Sequence, residues 1–122
     1  MSRTILEEAR LHPAIRDSVA NHNADIVHNV QAAASSNPVL VVGMAGNPHV
    51  RRARKMLAAA AIPFHYLEFG SYFGGWRRRT ALKMWTGWQT FPMVFVKGVL
   101  VGGGKETEAL IASGELKRTL GE

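Results

Sequence analysis

Few residues in this 122-residue chain can do covalent chemistry, and the absent ones narrow the field first. There is no cysteine. Disulfide exchange, thiolate zinc sites, iron–sulfur ligation by the chain and every cysteine nucleophile are therefore excluded. The five histidines, His12, His22, His28, His49 and His65, show no metal-ligand spacing. Asn47-Pro48 pairs a favoured helix N-cap with a favoured first helical residue. His49 follows directly and could serve acid–base chemistry, but no carboxylate or nucleophile neighbours it in sequence. Trp76, Trp85 and Trp88 lie among Arg77, Arg78, Arg79 and Lys83, the composition of a basic-aromatic nucleic-acid patch. The simpler reading packs Trp85 inward, solvates the arginines and leaves Trp88 to wall a cleft.

The elements that must position these residues follow from periodicity. Ile15, Val19, Ile26, Val30 and Ala33 recur at helical spacing, so residues ~13–34 hold one or two helices. Ser35-Ser36-Asn37-Pro38 breaks them. Val39-Leu40-Val41-Val42 is a β-branched run that reads as a strand buried on both faces. A helix from Pro48 to about residue 60 turns Val50, Ala53, Met56 and Leu57 inward. Phe64–Phe69 reads as a second strand, and Trp76–Trp85 as a basic helix with Ala81, Leu82 and Trp85 inward. Met93–Val96 and Val99–Val101 flank Lys97-Gly98 as a hairpin. Helices then begin near Lys105 and after Gly114. The expected class is α/β, a four-stranded mixed sheet flanked by helices. Residues 1–37 form an N-terminal helical extension and 38–122 the main domain.

In this order, four segments resemble the glutaredoxin family. Val39–Val42 looks like its first strand. Asn47-Pro48-His49-Val50-Arg51-Arg52-Ala53-Arg54 looks like its Cys-Pro-x-Cys-x-x-Ala-Lys stretch. Thr86-Gly87-Trp88-Gln89-Thr90-Phe91-Pro92 is similar to its Thr-Gly-x-x-Thr-Val-Pro loop. Val94–Gly98 with Leu100-Val101-Gly102-Gly103 looks like its hairpin and glycine turn. The resemblance implies a thioredoxin-like fold. It also places Asn47 and Val50 where the family has cysteines, so the site is vestigial and carries no redox catalysis.

What the resemblance implies about a glutathione cleft is specific. Thr90, Phe91 and Pro92 would form a cis-proline loop whose backbone meets the ligand's cysteinyl part. Gly103, Gly104, Lys105 and Glu106 would meet the γ-glutamyl end, where free helix amides suit a carboxylate. Arg79 would pair with the glycine carboxylate, while Met44 replaces a frequent lysine.

The sequence thus reads as a redox-inactive binding or regulatory module. It needs no cofactor, and glutathione or an extended peptide is its candidate ligand. A glutathione-dependent transferase-type enzyme and a nucleic-acid or acidic-protein binder are the alternatives. The +6 net charge is concentrated in residues 38–122, where twelve basic and five acidic residues give +7, a field that steers anions. No stretch approaches the roughly 18 apolar residues of a membrane span and the start lacks the apolar core of a secretory signal. A cytoplasmic protein without a membrane partner is expected.

Overall fold

A computed structural model describes residues 3–121. After a 3-10 turn at Glu8–Arg10 come α1 (Pro13–Asn21), α2 (Ala24–Ser36), β1 (Val39–Gly43), α3 (Pro48–Ala59), β2 (His65–Glu68), α4 (Trp76–Thr86), β3 (Met93–Val96), β4 (Val99–Gly102), α5 (Gly104–Ala112) and α6 (Glu115–Thr119). The strands form one sheet in the order β2-β1-β3-β4. β1 runs parallel to β2 and antiparallel to β3, and β3 pairs antiparallel with β4. This is the expected four-stranded mixed sheet. Among the described residues no helix is long and apolar enough to cross a membrane.

Alternation along the central strands divides the core in two. Leu40 and Val42 of β1 with Met93 and Phe95 of β3 face α2 and α4, meeting Ile26, Val30, Ala81 and Leu82. Val39, Val41, Val94 and Val96 face the other way, onto Leu57 of α3 and Leu116 of α6. β1 is buried throughout because helices cover both faces. Trp85 stacks on Phe95, with centroids 6.2 Å apart and planes at 22°.

The expected N-terminal helices are present as two, and the second strand departs from its expected bounds. Ile15 and Val19 are exposed, and α1 buries no residue. The helical run breaks at Asn23, which adopts a left-handed conformation with φ 47°. Only α2, with Ile26, Val30 and Ala34, is delivered to the sheet. The second strand is also shorter than Phe64–Phe69, because pairing with β1 spans only His65 to Glu68.

Candidate functional site

The α3 N-terminus, the loop before β3 and the β4–α5 turn converge at one end of the sheet. Asn47 is buried, and its Oδ1 accepts hydrogen bonds from the His49 amide at 2.9 Å and the Val50 amide at 3.2 Å. These are donors that a helix start otherwise leaves open. Pro48 occupies the first helical position and Val50 points into the core. Asn47 thus completes the helix from within.

Beside it lies a groove of about 310 Å³. His49 and Arg52 line it from α3, and Trp88, Thr90, Phe91 and Pro92 from the loop before β3. Gly103, Gly104, Lys105 and Glu106 line it from the β4–α5 turn. The Phe91–Pro92 peptide bond is cis. Gly103 sits close to the proline loop: a Cβ there would stand a tight 3.3 Å from the Pro92 carbonyl oxygen. The β4–α5 turn therefore lies near the proline loop.

The groove favours an anion. Arg52 and Lys105 are cationic, and α5 leaves its first-turn amides at Gly104, Lys105 and Glu106 without acceptors inside the helix. Glu106 is already engaged, since its Oε1 accepts the Gly103 amide at 2.9 Å. Arg52 shares its charge with Glu108 in an exposed ion pair at 2.6 Å. Trp88 Nε1 is buried with no hydrogen-bond partner, an orphaned donor on the groove wall.

The expected site residues from Thr90 to Pro92 and from Gly103 to Glu106 do come together, with His49. Arg79 does not line the groove. It is 8% exposed, and its Nη1 donates to the carbonyls of Phe69 at 3.1 Å and Gly74 at 2.8 Å. Its guanidinium is drawn inward by backbone acceptors of the β2–α4 loop, so its contact with a ligand carboxylate is withdrawn. Met44, the position that resemblance associates with a lysine, is buried in the core. Arg52 went unrecognised as a site residue. Its signal was the three-residue spacing from His49, which puts both on one helix face. Among the described residues no cluster of three or more His, Asp or Glu could hold a metal.

No protein-family model matches the chain. It is 42% identical over 102 residues to a glutaredoxin-like protein of Dictyostelium discoideum, covering 84% of this chain and 83% of that one. It is 34% identical over 88 residues to chloroplastic glutaredoxin-C4 of Oryza sativa subsp. japonica, covering 72% and 66%. Among solved structures it resembles oxidized glutaredoxin 2 of Chlamydomonas reinhardtii, with TM-score 0.69 and 28% identity over 80% of this chain and 92% of that one. It shares the fold of buckwheat glutaredoxin in complex with glutathione, with TM-score 0.72 and 24% identity over 82% and 91%. On these likenesses, and on the sheet and the loops that surround the groove, the chain belongs to the glutaredoxin family and has no cysteine of its own.

Proposed function

We propose that this family member binds rather than reduces: its groove holds glutathione or a related γ-glutamyl peptide as an intact ligand. The observation that carries this reading is the convergence of the proline loop and the glycine turn beside a helix start that Asn47 has capped. Without a thiol the chain can neither attack a disulfide nor pass on a glutathionyl group, so the retained surface has binding as its remaining use. Thr90, Phe91 and Pro92 line the groove wall along which an extended ligand would lie. The first-turn amides of α5, with the charge of Lys105 beside them, suit the γ-glutamyl carboxylate, and Arg52 supplies charge from α3. The reading is supported further by the buckwheat relative, which was solved with glutathione.

Binding is expected to be weak, on the order of millimolar, because Met44 offers no cation and no thiol can exchange with the ligand. NMR titration with glutathione tests it. Amide shifts should move at Phe91, Gly103 and Gly104, and Lys105→Ala should weaken affinity about two- to fivefold, as expected for an exposed charge. Saturating glutathione that leaves those three amides unmoved would exclude the ligand. Consumption of glutathione by an added electrophile at a rate set by the protein would turn the assignment toward a transferase.

A further inference from the structure

The loop between β2 and α4 is built to hold aromatic side chains in water. Ser71 and Gly74 exchange backbone hydrogen bonds at 3.0 and 3.3 Å, closing a tight turn with Tyr72 and Phe73 at its tip. Ser71 Oγ accepts the Phe73 amide at 3.1 Å. The buried Arg79 clamps the base through the carbonyls of Phe69 and Gly74. Gly70, with φ +68°, packs so closely that a Cβ would fall 2.4 Å from the Gly74 oxygen. Despite this fixed backbone, Phe73 is 100% exposed, Tyr72 64% and Trp76, the first residue of α4, 61%. A loop with so many internal bonds could have folded its rings back onto the sheet. It projects them instead.

Of the three arginines near the tip, Arg77 alone is exposed without a carboxylate partner among the described residues. From Phe69 to Lys105 the sequence has no Asp or Glu, and Arg77 and Arg78 follow Trp76 directly. Arg77 sits 5.3 Å from the Trp76 ring centroid, whereas Arg78 is engaged by Asp25 at 2.8 Å. Glu68 precedes the loop and accepts from the Tyr66 hydroxyl.

From this geometry we infer that the Tyr72–Phe73–Trp76 tip is a docking point for an anionic phospholipid surface. Aromatic rings with apolar bodies favour the water–lipid interface, and Arg77 beside Trp76, on a chain of net charge +6, adds attraction to acidic headgroups. A nucleic-acid platform fits less well. Base stacking needs ring faces arrayed along a groove, whereas Phe73 stands on a convex tip with no side chain beside it and Arg77 lies over Trp76. Attachment through a loop tip requires no membrane-crossing helix, and none is present among the described residues.

Co-sedimentation of the whole chain with phosphatidylcholine vesicles, with and without phosphatidylserine, tests the inference. The protein should bind the phosphatidylserine vesicles, and added salt should weaken that binding. Phe73→Ser should lower the partition coefficient about tenfold or more with an unchanged melting temperature, because the side chain touches nothing. Met84→Ser, at an exposed apolar position on α4, should leave partitioning intact. The inference fails if vesicles do not bind at low salt, if neutral vesicles bind equally well, or if the two substitutions act alike. It also fails if Phe73→Ser abolishes binding to a single-stranded oligonucleotide while vesicles are ignored. Phe73→Ser should not alter the glutathione titration, so the two assignments stand or fall separately.

Discussion

The Asn47 oxygen accepts two amides at the start of α3, and its removal isolates the value of a cap from any ligand effect. Asn47→Ala should destabilise the protein by about 1 kcal/mol, read as a lower midpoint in urea, while Asn47→Asp should retain most of the stability. Tyr66 gives a second test. Burial first, then the hydrogen bond to Glu68 and that carboxylate's charge, raise its pKa from 10.0 to about 12, and Arg54 opposes the shift. The folded state therefore holds the phenolic proton more tightly than the unfolded chain. Its stabilising contribution is complete below pH 10 and is lost as pH rises from about 10 to 12. Tyr66→Phe should remove that segment of the stability–pH curve in alkaline urea titrations. Asn47 was legible in the sequence because Asn-Pro before a helical run names its position. Arg79 was not, since three consecutive arginines carry no mark of which one meets carbonyls five and ten residues away.

The elements were legible where one local pattern sufficed. The β-branched run of β1, the Lys97-Gly98 turn between β3 and β4 and the glycines before α5 each carry their own signal. At α1 the pattern gave the helix without its partner: Ile15 and Val19 fit the period of α2, although Asn23 separates the two helices. Periodicity reports a face but not which partner that face will meet. Gly70 and the Gly74-Gly75 pair mark the β2–α4 loop in the sequence, but its order comes from Arg79, ten residues from Phe69. Arg79→Ala should take the side-chain donor from the Phe69 carbonyl and leave the Gly74 carbonyl with the Ser71 amide, at a cost of about 1–3 kcal/mol. Hydrogen exchange should accelerate at the amides of Ser71, Phe73 and Gly74 before it does in the sheet. A loss of glutathione affinity with unchanged exchange would instead return Arg79 to the groove.

Across the whole molecule the boundary drawn at residue 37 separates segments that share a core. Ile26, Val30 and Ala34 of α2 pack with Leu40, Val42 and Phe95. Burying a side chain of this size contributes about 1.5–3 kcal/mol, against a total stability of roughly 5–15 kcal/mol for a domain. Deleting residues 1–37 should therefore leave a chain without a cooperative thermal transition. Deleting residues 1–23, whose α1 buries nothing, should preserve one. Composition foretold that a single core could form, and the order of elements foretold the sheet. Neither revealed that α2 of the N-terminal segment would be part of that core, because helix-to-sheet docking depends on which face of β1 remains uncovered.

Asn47 also alters how the protein meets a changing cell. A cysteine at a helix start is a chemical handle: oxidants, electrophiles and soft metals all compete for it, and each leaves a different molecule behind. An amide cap has no such alternative states. The helix start beside the groove therefore looks the same under oxidising and reducing conditions.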